Sequence, residues 1–253
     1  MSRLDVYESW GTLVGGKDNV LAILSGGSGN WPQGREAFRL IKTRDDKSTI
    51  LVTDGLSSET AADDPFGSVP KHAGFGMELW LESTDDFDRS PCFMLLLYLS
   101  NLCASGRLTR SAVDEFGGIS VEVPVDYLGV SGLSSDLITP ENTVGVLVGI
   151  DPSDDRTISM DVNGYSVKLL CCRVVNAKQL NVARNGGRKQ LVAELEQETN
   201  GWFSTFGEIS DAGIIGDAEI AEANSFVSPF SNFPQQESQQ GERRGYASKC
   251  VCS

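Results

Sequence analysis

The sequence predicts a mixed α/β fold, and three stretches carry that prediction. Gly74 to Glu82, GFGMELWLE, alternates with the period of a strand: Phe75, Met77, Leu79 and Leu81 face one way, Gly76, Glu78, Trp80 and Glu82 the other. It reads as a half-buried strand with an indole between two carboxylates. TISMDV and YSVKLLCCRVV are joined by Asn163-Gly164. Asn-Gly between alternating apolar runs signals a two-residue hairpin, because a type I′ turn needs positive φ at both central positions. CFMLLLYLSNLCAS, after Ser90-Pro91, is apolar nearly all round and reads as a buried helix, with Ser90 as N-cap and Pro91 at the first helical position.

The remaining elements follow in chain order. Leu4 to Leu24 reads as a helical region broken by Gly15 and Gly16, and Gly26 to Gly34 as a connector. That glycine-rich stretch lacks the GK[ST] ending of a phosphate loop. Ala37 to Thr43 and Thr49 to Thr53 read as strands joined by the charged turn Arg44-Asp45-Asp46-Lys47. Gly117 to Val123 and Val144 to Ile150 are further strands, and the arm after Asn163-Gly164 is long and apolar, as a central strand should be. Asn176 to Ala183 reads as a short helix. Gly187 to Glu198 is a second, with Leu191, Val192 and Leu195 as its apolar stripe. Trp202 and Phe203 end the ordered pattern. After Phe206 the chain turns rich in Ser, Gln and Pro, so the reading is one domain over 1–206 and a flexible polar tail over 207–253, with a short helix conceivable between Gly216 and Ala223.

The composition limits the function. A chain of 253 residues fits one or two domains, and 40% apolar with 22% charged residues is ordinary globular usage. The net charge of −14 disfavours nucleic acid and anionic lipid and favours a basic partner, although surplus acid also serves solubility alone. Six scattered cysteines make no disulfide scaffold; Cys171 and Cys172, as strand neighbours, should point to opposite faces as small core residues in a reducing compartment. With no signal segment at the N-terminus and no apolar run near the ~20 residues of a membrane span, the expectation is a soluble, cytoplasmic protein. Cys250-Val251-Cys252-Ser253 fits a prenylation box poorly, since Cys252 is not aliphatic.

Catalytic chemistry is short of parts. A Ser/His/Asp or Cys/His arrangement would have to use the single histidine, His72. Neither Cys171-Cys172 nor Cys250-x-Cys252 has zinc-site spacing, and no EF-hand loop is present. Glu78 and Glu82 lie about 13 Å apart along a strand, too far for a glycosidase pair. No metal, no cofactor and no catalytic residue is expected.

The order of four segments resembles the Suppressor of fused-like domain family. These are ILVTDGLSSE (Ile50 to Glu59), GFGMELWLE, the apolar helix Pro91 to Ser105, and VNGYSVKLLCCRVVNAKQLNVARNGGRKQLVAEL. The match covers roughly residues 35–206 and departs from the family at Ala177-Lys178-Gln179-Leu180, where Glu often precedes Leu. The resemblance implies an α+β sandwich: a mixed, largely antiparallel sheet with helices packed against it. In animals the related protein sequesters a zinc-finger transcription factor of the Hedgehog pathway, an extended peptide being clamped between two lobes by strand addition; this chain matches only the first lobe. In bacteria similar single domains lie beside secreted toxins and are inferred to be immunity proteins. Neither role is catalytic.

Together these readings give a non-enzymatic protein-binding domain, foremost an immunity protein against a cognate toxin. The alternative is a regulatory or scaffold domain that binds an extended peptide; an enzyme built around His72 is the remaining reading. The candidate partner-binding residues are Asp54, Glu59, Asp63, Asp64, Glu78, Trp80 and Glu82, with Trp80 as aromatic anchor and the carboxylates setting specificity. The competing reading buries Trp80 under a covering helix, in which case Glu78 must be paired or lie at an edge.

Overall fold

A computed structural model describes residues 2–22, 31–32, 36–59, 73–85, 91–130, 132–151, 156–198 and 202–206. Its elements, in chain order, are α1 (Arg3–Trp10), β1 (Gly11–Leu13), β2 (Leu21–Ala22), β3 (Ala37–Thr43), β4 (Thr49–Thr53), β5 (Met77–Ser83), α2 (Cys92–Ala104), α3 (Arg110–Phe116), β6 (Ile119–Pro124), a 3-10 turn (Val125–Leu128), β7 (Thr143–Ile150), β8 (Ser159–Val162), β9 (Tyr165–Val175), α4 (Ala177–Arg184) and α5 (Arg188–Gln197). The strands form one sheet in the order β1-β3-β4-β5-β9-β7-β6, with β2 pairing β3 and β8 pairing β9. Among the described strands only β5 and β9 pair in parallel, Met77–Trp80 against Lys168–Cys171; the other strand pairs are antiparallel. The fold is the mixed, largely antiparallel α+β sandwich that the resemblance implies.

Both sheet faces are covered, and strand alternation decides what each meets. Leu51, Met77, Leu79, Leu81, Val146, Cys172 and Val174 join the core with Leu95, Leu96 and Leu99 of α2 and Val113 of α3. Ile50, Val52, Trp80, Leu147, Cys171 and Val175 join the core with Val6, Tyr7 and Trp10 of α1, Leu180 of α4 and Leu191 and Leu195 of α5. Cys171 and Cys172 therefore part to opposite faces, and burial pushes both thiols well above their ordinary range.

Local signals set several boundaries. Asn163 and Gly164 carry φ of 54° and 82°, as the hairpin between β8 and β9 requires. Capping boxes start α1, where Ser2 and Asp5 exchange bonds, and α4, where Asn176 and Gln179 do the same. Gln179 directly precedes Leu180, and its amide closes the capping box as a carboxylate would.

Four expectations change. The helical region read over Leu4 to Leu24 is helical only to Trp10, because Gly11–Leu13 and Leu21–Ala22 find hydrogen-bonding partners on β3 and pairing outweighs local propensity. The half-buried strand is β5, and all seven of its residues are buried, since β4 and β9 flank it and helices cover both faces. At α2, Ser90 lies outside the described residues, and Pro91 occupies the N-cap with no side-chain cap. The short α3 was not anticipated; Thr109 caps it, its hydroxyl accepting from the Ala112 N–H at 3.3 Å. The tail over 207–253 lies outside the described residues.

One glycine locks α3 to the sheet. Gly149 has φ of +80° where the β7–β9 register shifts between Val148 and Ile150, and a Cβ there would sit 2.3 Å from Cγ1 of Val113. Gly149→Ala should cost about 2–4 kcal/mol from strain and overpacking together. Val113→Ala in the same chain should recover only the steric part. Urea denaturation checks both, and a single-mutant loss under about 0.5 kcal/mol contradicts the account.

Candidate functional site

The residues singled out in the sequence divide by burial. Glu78 and Trp80 are 0% exposed and Glu82 is 1% exposed. The Asp54 side chain is 8% exposed. Glu59 is on the surface, and Asp63, Asp64 and His72 lie outside the described residues. Glu78, Trp80 and Glu82 therefore do not form an open contact face, because the strand that carries them is interior to the sheet and roofed on both sides. Trp80 follows the competing reading: its indole N–H donates to the Leu169 carbonyl at 3.2 Å, the Trp10 ring lies 5.3 Å away, and the Arg156 guanidinium sits 5.0 Å from its ring centroid.

A carboxylate inside a sheet must be satisfied there, and the TDGLSS turn performs that task for Glu78. One Glu78 oxygen accepts from the Thr53 hydroxyl at 2.6 Å and from the Gly55 and Leu56 N–H groups at 3.4 and 3.3 Å. The other accepts from the Ser57 N–H at 2.9 Å and the Ser57 hydroxyl at 2.6 Å. Arg3, on α1, lies 3.8 Å from Glu78 and donates to Asp54 at 3.0 Å and to the Ser57 hydroxyl at 2.8 Å. Arg39 holds the other Asp54 oxygen at 2.5 Å and donates to the Lys17 carbonyl at 2.6 Å. Tyr7 donates to the Thr53 carbonyl at 3.0 Å. Burial pushes the Glu78 carboxyl above its ordinary range, against the pull of Arg3, Ser57 and Thr53. Glu82 is held by the Ser48 hydroxyl and by Arg156 at 2.5 Å. These carboxylates brace the fold from within.

The feature that sequence reasoning missed lies at the C-terminal end of β5. Past Trp80, β5 no longer pairs with β9, and the opening between the two strands holds Ser204. The Ser204 N–H donates to the Glu82 carbonyl at 2.8 Å, and the Ser83 hydroxyl donates to the Ser204 carbonyl at 2.7 Å. On the other side the Val174 N–H donates to the Ser204 hydroxyl at 3.0 Å. Trp202 belongs to the core under α1, α4 and α5, and Phe206 to the core under α2. The chain thus crosses the sheet through this fork, with one aromatic seated on each face. The Phe206 N–H donates to Asp85 at 2.9 Å. The only signal in the sequence was the spacing of Trp202, Ser204 and Phe206, which marks no element by itself.

Among the described residues, no group of three or more His, Cys, Asp or Glu side chains could hold a metal ion, and no helix is long and apolar enough to cross a membrane. The arrangement holds an extended segment of this chain by main-chain and hydroxyl hydrogen bonds, with Trp202 buried on one face and Phe206 on the other.

No family model matches this chain, and no curated protein sequence matches it. Among solved structures it is similar to the crystal structure of the Sufu-Fu complex, with a TM-score of 0.48 and 14% identity over 76% of this chain and 84% of that chain. It is also similar to Drosophila Suppressor of Fused, with a TM-score of 0.47 and 15% identity, and the aligned region covers 79% of this chain but 47% of that one.

Glu78→Ala should cost about 3 kcal/mol or more, since it leaves the turn's donors without their acceptor and Arg3 with Asp54 as its one remaining carboxylate among the described residues. The pH response follows from the raised carboxyl. The folded chain binds the proton more tightly than the unfolded chain, so this group's contribution is complete below about pH 4.3, the unfolded value, and falls away as pH rises through the higher folded value. Glu78→Gln should remove that decline. Urea titrations of both chains from pH 4 to 8 test it, and parallel pH profiles would contradict it.

Proposed function

We propose that this chain is a non-catalytic protein-binding domain that accepts an extended segment of another protein at the fork between β5 and β9. The single observation behind this reading is Ser204, an extended residue held between two strands that have ceased to pair with each other. Strand edges bind whichever extended segment is present: main-chain hydrogen bonds supply affinity and side-chain pockets supply selectivity. Here the pockets take an aromatic residue on each face with a small hydroxyl residue between them, as Trp202, Ser204 and Phe206 do now. The segment follows α5, so its release unthreads no other described element. A partner segment of similar pattern takes its place, and no bond is made or broken.

A cognate toxin is the second form of this reading. The net charge of −14 favours it, because an acidic body attracts a basic partner and speeds the encounter. Exposed Glu59 stays a candidate contact in this form, and Asp63 and Asp64 stay with it on sequence grounds. We place the protein in the cytoplasm, where Cys92, Cys103, Cys171 and Cys172 serve as buried core residues.

The test is a lock. Ser83 and Ser204 are partners across an isolated bridge, so a crosslink between these two positions would hold the segment in place. Ser83→Cys with Ser204→Cys, in a chain whose Cys250 and Cys252 are serine, pins the segment in the fork. Peptides selected on the full-length chain from a displayed random library should bind the oxidised lock at least about tenfold more weakly and regain affinity on reduction. Equal binding to the locked and open forms would sink the proposal. Loss of affinity with rising salt marks the basic-partner form.

A further inference from the structure

A sheet fold that buries a guanidinium normally surrounds it with acceptors, because five N–H donors and a full charge are costly to leave in an apolar setting. Arg173 of β9 departs from this. Its side chain is 7% exposed, and its one ionic partner among the described residues is Glu198, met through Nη2 at 3.5 Å. The buried Nε–H has no hydrogen-bond partner among the described residues. Glu198 is 40% exposed and accepts more closely from Gln179, at 2.8 Å. Burial lowers the Arg173 pKa from its ordinary value even with Glu198 pulling the other way.

The position of Arg173 matters as much as its shortage of partners. It directly precedes Val174, whose N–H holds Ser204, so it lies at the wall of the fork. It pairs across the sheet with Leu147, which offers no acceptor in its side chain. The Nε–H and one Nη–H of a guanidinium form a two-pronged donor that matches a carboxylate. A neutral carbonyl would satisfy one prong and leave the charge uncompensated.

We infer that the segment taken up at the fork carries a carboxylate that pairs with Arg173. This rests on the fork being the place of binding. In the free chain Arg173 is a built but under-occupied half of an ion pair, and an acidic residue of the partner supplies the other half, while Glu198 stays with Gln179. The partner segment is then extended, aromatic at its ends and acidic at one position, whatever the charge of the protein that bears it.

The experiment uses the full-length chain and peptides selected on it from the displayed random library. The selected set should be enriched for Asp or Glu at one position. Replacing that residue by its amide should weaken binding to the wild-type chain about tenfold or more, and to Arg173→Gln by less than about twofold. Arg173→Lys, which keeps the charge and loses the fork, should fall between the two. Amidating the peptide C-terminus separates a side-chain carboxylate from a terminal one: an effect on binding that tracks the amidation assigns the pair to the chain end. Arg173→Met should melt at or above the wild-type temperature, because it removes a buried charge that the free chain leaves short of partners. Selected peptides with no acidic preference, an amide effect as large on Arg173→Gln as on wild type, or a clear drop in Tm for Arg173→Met each overturn the inference and leave peptide binding at the fork standing. Failure to select any peptide overturns both.

Discussion

A carboxylate in the middle of a sheet constrains everything around it. β5 is buried on both faces, yet Glu78 and Glu82 both point into the same layer of the molecule. Water is excluded there, so the protein must provide the donors. The turn after β4 is shaped to aim N–H and hydroxyl groups at Glu78, and α1 is drawn onto the sheet so that Arg3 can reach the same cluster. Trp10, itself packed on Tyr7, then lies against Trp80, and the Arg156 guanidinium sits over that indole while holding Glu82. Packing and charge pairing on this face are one system: removing the carboxylate would leave the turn, the helix and the aromatic stack without the group that fixes their positions.

The parallel contact between β5 and β9 is the second organising feature. Every other strand pair is antiparallel, so this contact joins two antiparallel halves, β1 to β5 on one side and β6 to β9 on the other. The seam is short and opens beyond Trp80. Filling an open seam requires a segment with main-chain groups for the strands and side chains for both cores, and 202–206 has both. A junction closed by an extended segment is a natural place for another extended segment to bind.

Much of the architecture was legible in the sequence where the signal is local. The bounds of β3 and β4, the Asn163-Gly164 turn, the opposite facing of Cys171 and Cys172, and the helices over Ala177–Arg184 and Arg188–Gln197 all rest on periodicity, turn chemistry or capping. The TDGLSS stretch stood out as a motif, but its role as a cradle for Glu78 depends on a strand that comes 21 to 25 residues later. Alternation showed that Glu78, Trp80 and Glu82 share a face. It could not show that α1, from the start of the chain, would cover that face.

What the sequence determined by itself was most of the strands and helices, though not β1, β2 or α3, and the partition of β5 into two faces, because backbone propensity and side-chain alternation act between near neighbours. The tertiary structure alone decided that both faces are buried, that β9 lies parallel to β5, that the seam opens after Trp80, and that Trp202 and Phe206 end on opposite sides of it. Those outcomes depend on contacts between residues far apart in the chain, and they arise only when the elements pack against one another and exclude water.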